Sequence, residues 1–192
     1  MKTPPLILAS ASPRRSELLR QIGVEFTVVT SDVEEIHDQE LTARELALVN
    51  AYRKARAVAK KHPDAVVLGA DTLVTLDQQL FGKPADLDEA FQMLAQLQGH
   101  THEVVTGVCL LNLRSHRQRT FAETTAVTFQ ALNEDAIRRY LARVNPLDKA
   151  GAYGIQEEGE MIVETISGSF TNVVGLPVER LQAELRAWEA KP

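Results

Sequence analysis

The sequence predicts an α/β protein built on a central, mixed, twisted sheet with flanking helices. Short apolar runs alternate with helix-period segments along the whole chain, the pattern of layered α/β domains. Most helical segments open at a recognisable cap and stop at Gly or Pro. Two long β-rich runs then follow one another across a short basic turn, an order that a simple doubly wound repeat does not produce.

Leu6–Ala9 reads as a buried first strand. Ser12 is placed to cap the following helix, Pro13 fits its first position and Gly23 can end it. Val24–Thr30 reads as a second strand, followed by an acidic turn over Asp32–Glu40. Thr42 and Glu45 form a capping box for a long helix that runs toward His62 and stops at Pro63. Ala65–Leu76 is β-rich and ends in the turn Asp77-Gln78-Gln79, the start of a hairpin. Asp86 and Glu89 cap a helix ending by Gly99. Glu103–Leu113 and Phe121–Leu132 read as strands joined by the turn Arg114–Arg119. A helix from Asn133 to about Val144 closes at Pro146, a Gly-containing loop covers Asp148–Gly159, Met161–Ile166 is a strand, and a last helix starts near Pro177.

Composition narrows the function classes. The chain has 192 residues, 44% hydrophobic and 24% charged, ordinary values that exclude disorder and disulfide scaffolds. One domain over 1–192 is expected, with two lobes around a cleft. Lys and Arg total 21 against 26 Asp and Glu, so no basic stripe marks a nucleic-acid surface and no nucleic acid is expected as partner. No apolar run approaches the ~18 residues of a membrane span, and the apolar stretch after Met1-Lys2-Thr3-Pro4-Pro5 is too short for a signal peptide. No membrane partner and a cytoplasmic location are therefore expected. Cys109 stands alone, which rules out a CxxC redox or zinc pair, and an apolar setting makes it a core residue.

The first strand–helix junction is the most informative local feature. Arg14 and Arg15 occupy the first helical turn, where the helix dipole disfavours cations by roughly 0.3–1 kcal/mol each. Beside free N–H groups and the hydroxyls of Ser10 and Ser12, they make sense if an anion binds there; the alternative is that both reach into solvent. Gly69-Ala70-Asp71-Thr72 puts a lone carboxylate inside an apolar run, and a buried Asp needs a metal, an arginine or hydrogen bonds. Lys83, between Gly82 and Pro84, lies at the far end of the probable hairpin and can be held toward a ligand. Asn50 and Lys54 share a helix face, next to a stripe of Ala47, Ala51, Ala55 and Ala59 suited to close packing. Glu34 and Glu35 either ligate a hard cation or form a solvated acidic turn. His100 and His102 lack a third ligand at zinc spacing, and Arg114, Arg117 and Arg119 read as a solvated turn.

Taken together, Leu8-Ala9-Ser10-x-Ser12-Pro13-Arg14-Arg15, Gly69-Ala70-Asp71-Thr72, Gly82-Lys83-Pro84 and Lys149–Gln156, with Gly168–Pro177 behind them, resemble the Maf family of nucleoside triphosphate pyrophosphatases. The likeness covers essentially the whole chain, and Ala152-Tyr153-Gly154-Ile155-Gln156 is similar to the branch acting on dTTP and UTP. It implies a fold like that of the inosine triphosphate pyrophosphatases. It implies cleavage between the α- and β-phosphates of a nucleoside triphosphate, giving the monophosphate and pyrophosphate, with a divalent cation, Mg²⁺ or Mn²⁺. By the same resemblance Asp71 is the proton acceptor, Lys54 and Lys83 act with it, and Ser10, Arg14 and Arg15 bind phosphate. Asp71 and Glu35 hold the metal, and Arg14, Thr72 and Gln156 fall at specificity positions. A homodimer is expected by resemblance alone. The family also carries an association with cell division and septum formation, so a nucleotide-binding regulator is the alternative to an enzyme.

Two positions depart from the family pattern: Phe170 stands where Tyr is common, and Glu157, where Gly often follows the Gln, adds a carboxylate near the base pocket. Gln156 offers one amide donor and one acceptor, a match for the imide edge of uracil or thymine. A free amide flips and pairs with cytosine as well, so selectivity needs neighbours that fix it, and the Tyr153–Ile155 backbone is expected to supply them.

Overall fold

The computed structural model describes residues 4–38 and 40–190. Met1–Thr3 and Gln39, parts of the expected leader and acidic turn, lie outside the described residues. The sheet has seven strands: β1 (Leu6–Leu8), β2 (Thr27–Val28), β3 (Val66–Leu76), β4 (Gln79–Phe81), β5 (Thr101–Asn112), β6 (Arg117–Phe129) and β7 (Val163–Ser167). Their order is β2-β1-β3-β5-β6-β7, with β4 paired to β3. β1 runs parallel to β2 and β3, whereas β4 on β3 and β7 on β6 are antiparallel. The sheet is mixed, as the sequence predicts.

The helices are α1 (Pro13–Gln21), α2 (Ala43–Ala59), α3 (Leu87–Leu97), α4 (Glu134–Leu141), α5 (Phe170–Val174) and α6 (Val178–Glu189). The expected capping box of α2 is formed: Thr42 Oγ1 accepts from Glu45 N–H at 3.3 Å, and Glu45 Oε2 accepts from Thr42 N–H at 2.9 Å. Asp86 and Asn133 cap α3 and α4 as expected. Ser12 occupies the N-cap of α1, but its side chain makes no capping bond; Ser10 Oγ instead accepts from Ser12 N–H at 3.2 Å. The second strand is shorter than Val24–Thr30, because its partner β1 is itself only three residues long. α5 has five residues, too few to show a helical period in sequence.

The chain divides into two units. The first comprises residues up to Asp71, Thr106–Glu123 and Gly175 onward; the second comprises Thr72–Val105 and Thr124–Val174. In the first, Ile7, Ala51, Ala55, Val67, Cys109 and Leu111 share one core, and burial pushes the Cys109 thiol up to about 12. The small-residue stripe of α2 lies directly on the sheet. A Cβ at Gly69 would collide with the Ala51 carbonyl oxygen, and one at Gly107 with that of Ala47. Side chains alternate along a strand, so Gly69 and Asp71 share the β3 face against which α2 rests. In the second unit, Val74, Phe81, Leu94, Phe129, Tyr140 and Tyr153 belong to another core. Among the described residues, no helix is long and apolar enough to cross a membrane.

Candidate active site

The close seating of α2 on Gly69 has a direct consequence two residues later. Lys54 Nζ stands 2.6 Å from Asp71 Oδ1 and 2.6 Å from Glu35 Oε1. The Asp71 side chain is 5% exposed and that of Lys54 14%, so these charges are largely removed from water and hold one another in place. One turn earlier on the same helix face, Asn50 Nδ2 donates to Asp71 Oδ2 at 3.3 Å and to Ile36 O at 3.2 Å, while its Oδ1 accepts from Ile36 N–H at 2.9 Å. Glu35 therefore reaches the site on a segment that Asn50 fastens by both polar groups of one backbone residue.

The strand–helix junction joins the same cluster. Arg15 Nη1 donates to Ser10 Oγ at 3.2 Å and Nε donates to Gly175 O at 2.9 Å. Burial holds the Arg15 guanidinium below its ordinary pKa; Asp71 and Glu35 pull it back up, and Arg14 pushes it down again. These couplings bring Arg14, Arg15, Glu35 and Asp71 into one electrostatic neighbourhood. The solvent-facing alternative for both arginines does not hold, since Arg15 is buried and Arg14 half-buried. Nor does Arg15 serve an anion only, because one edge of its fork is committed to the backbone at Gly175. Arg14, Arg15 and Lys54 oppose Asp71 and Glu35, three cations against two carboxylates, so the group retains a positive charge for an anionic ligand.

The remaining predicted residues belong to the second unit. Thr72 follows Asp71 in β3 and is half-buried, Lys83 is exposed after β4, and Gln156 is exposed in the loop after α4. Within that unit Gly151 N–H donates to Gly82 O at 3.0 Å, tying the Lys83 turn to the start of the Gln156 loop. His102 does not share a role with His100: it is buried, edge-to-face on Phe129, with Nε2 2.8 Å from Tyr153 Oη. Burial pushes its pKa down to about 4. Phe170 is an exposed aromatic of α5.

Among the described residues, no three His, Cys, Asp or Glu side chains gather as a metal-binding group. Asp71 and Glu35 remain a hard, oxygen-only pair converging on the point where Lys54 Nζ stands. Their oxygens are of the donor type that a small divalent cation takes together with water and phosphate, while in this arrangement both carboxylates pair with Lys54 Nζ.

Sequence reasoning assigned no role to the Asn50 clamp, nor to Tyr140 and Lys149. The i, i+4 spacing puts Asn50 on the Lys54 face, but its partner Ile36 follows no local pattern. Lys149 is buried although charged, and Asn145 O, Asp148 and Glu157 surround its ammonium at 2.6, 2.8 and 3.1 Å.

A family model described as Maf-like protein matches residues 5–188. A dTTP/UTP pyrophosphatase of Exiguobacterium sibiricum is 50% identical over 188 residues, which cover 98% of this chain and 94% of that protein. A dTTP/UTP pyrophosphatase of Acetivibrio thermocellus is 47% identical over 94% of each chain. One of Bacillus cytotoxicus is 48% identical, covering 96% of this chain and 95% of that one. A solved structure from Vibrio cholerae aligns with 74% of this chain and 72% of that one at 11% identity, with a TM-score of 0.36, too distant to bear on the fold.

Proposed function

The chain belongs to the Maf family, and we propose on that basis that it is a nucleoside triphosphate pyrophosphatase acting on dTTP and UTP. The reading extends to modified pyrimidine nucleotides of the same shape. The observation that carries it is the Glu35–Lys54–Asp71 bridge beside Arg14, Arg15 and Ser10. It offers a carboxylate base and a cluster of cations at one place. Hydrolysis of a phosphoanhydride needs little else, because positioning and electrostatic stabilisation do most of the work in phosphoryl transfer.

In this reading Arg14, Arg15 and Ser10 receive the phosphates, and family membership supports Lys83 as a member of the catalytic set with Asp71 and Lys54. Asp71 accepts the proton of the attacking water as the oxygen bonds to phosphorus and the α–β bridging bond breaks. Lys54 Nζ, 2.6 Å from Asp71 Oδ1, holds the carboxylate aimed. Asp71 and Glu35 would hold a divalent cation, Mg²⁺ or Mn²⁺, which when bound neutralises phosphate charge and polarises the anhydride. Thr72 and Gln156 are read as the specificity positions, together with Arg14. The same membership supports a single domain over 1–192 of the inosine triphosphate pyrophosphatase type, with two lobes around a cleft. It also supports a cytoplasmic enzyme and a homodimer.

The test is product release from UTP, dTTP, CTP, ATP and GTP, with and without Mg²⁺ or Mn²⁺. Pyrophosphate should appear as product, and UTP and dTTP should exceed the others in kcat/KM. Orthophosphate as the sole product, or tight nucleotide binding with no pyrophosphate released, would overturn the reading in favour of a different hydrolase or a nucleotide sensor.

A further inference from the structure

We propose that Tyr140 is a positioning residue for base selectivity: its hydroxyl fastens the Gly154 backbone and so fixes where Gln156, two residues later, presents its amide. The inference rests on the reading of Gln156 as the group that meets the base.

Tyr140 lies in α4 with no exposed surface, its ring in the core of the second unit. Its hydroxyl accepts from Gly154 N–H at 3.1 Å and donates toward Gly154 O at 3.5 Å. Both polar groups of one loop residue thus close on a single rigid side chain. Burial pushes the Tyr140 phenol up to about 12, so the proton it donates stays in place at neutral pH. Phe would fill the same core volume and lack only the hydroxyl that bonds Gly154.

Gly154 is also held from another side. A Cβ at this position would lie 2.6 Å from Lys149 Cε and 3.0 Å from Cδ, so the backbone rests on the lysine stem. The Lys149 ammonium then ties Glu157 at 3.1 Å, and His102 holds Tyr153 at 2.8 Å. Tyr153, Gly154 and Glu157 are therefore pinned, while Gln156 between them is exposed. That is the arrangement selectivity requires. An amide that turns freely pairs with uracil or cytosine equally well, whereas one carried on a fixed backbone presents donor and acceptor in one order. A site built around that order leaves polar groups unpaired when the wrong base enters.

The experiment compares kcat and KM for UTP and CTP in wild type, Tyr140→Phe, Gln156→Ala and the double variant, with Tm recorded for each. Tyr140→Phe should keep kcat on UTP within about threefold and lower the UTP:CTP ratio of kcat/KM about fivefold or more, mainly through KM for UTP. Adding Gln156→Ala to it should narrow the ratio no further than Gln156→Ala does alone, because both changes act on one contact. If Gln156→Ala narrows the ratio while folded Tyr140→Phe leaves it unchanged, or slows UTP and CTP alike, Tyr140 is structural only and the proposal fails. If wild type does not discriminate, or Gln156→Ala changes nothing, the Gln156 reading itself fails and takes the proposal with it. Should Tyr140→Phe melt below the assay temperature, Gly154→Ala is judged by the same outcomes. It lifts the loop from Lys149 without deleting a hydrogen-bonding group.

Discussion

Asn50 touches Asp71 with the same amide nitrogen that holds Ile36: Nδ2 is 3.3 Å from Asp71 Oδ2 and 3.2 Å from Ile36 O. One side chain on α2 thereby links the β3 carboxylate to the segment carrying Glu35. The link depends on the short distance between α2 and the sheet at Gly69, where only hydrogen replaces a side chain. A fold feature thus sets the spacing of the candidate catalytic group.

Asn50→Ala should damage both stability and turnover. It strands the Ile36 N–H and C=O at a half-buried position, a loss of about 1–3 kcal/mol, or several degrees of Tm for a chain of this size. Glu35 also loses its fixed approach to Lys54. We expect kcat to fall about tenfold or more while the variant remains folded at 25 °C. Wild-type turnover in a variant with lowered Tm would reduce Asn50 to a structural role.

Asp71→Asn keeps shape but removes charge and basicity. Turnover should fall by roughly 10²-fold or more, and Glu35 remains to pair with Lys54, so the fold should survive. Circular dichroism and pyrophosphate release on the same sample check both halves. Activity within a few-fold of wild type would remove Asp71 as the proton acceptor.

Arg15 carries a different expectation from the exposed Lys83. A guanidinium serving an anion alone could be deleted with little effect on Tm, but Arg15 is 9% exposed and donates to Gly175 O and Ser10 Oγ. Arg15→Ala should therefore lower Tm as well as activity, since it removes buried hydrogen bonds from a charged donor, worth about 1.5–3 kcal/mol. Lys83→Ala, at an exposed position, should impair activity with Tm unchanged. Equal Tm for wild type and Arg15→Ala would contradict the buried placement.

How legible this was differs from residue to residue. That Arg14 and Arg15 stand at the head of α1, against its dipole, was readable because the signal is local. That one arginine turns inward to Gly175, 160 residues away, is decided by packing that no short window encodes. The alanine stripe of α2 announced close packing, and Gly69 and Gly107 turned out to be its counterparts, but only the pairing of β3 beside β5 brings both beneath one helix. The loop that carries Gln156 was readable from its contiguous, Gly-containing motif. The side chains that hold its loop, Tyr140 and His102, were not, since each looks in sequence like an ordinary core or surface residue.

His102 supplies a pH test with a definite sign. Its ring is 1% exposed and its pKa falls to about 4 in the folded protein, against about 6.5 for a solvated histidine. Above pH 6.5 both states hold it neutral and it costs nothing. As pH drops from 6.5 toward 4, the unfolded chain takes up a proton that the folded chain refuses, so stability is lost through that window. Below about 4 the folded ring protonates too and the loss levels off, having reached about 3 kcal/mol. The other histidines, His37, His62, His100 and His116, are exposed, and carboxylates add their own dependence, so the measurement is a difference. Urea midpoints of wild type and His102→Gln should be compared at pH 7.5 and pH 5. Glutamine keeps a donor for Tyr153 but cannot titrate, so the variant should lose less stability between the two values than wild type does. Identical losses would mean that His102 takes up its proton in the folded state as readily as in the unfolded one.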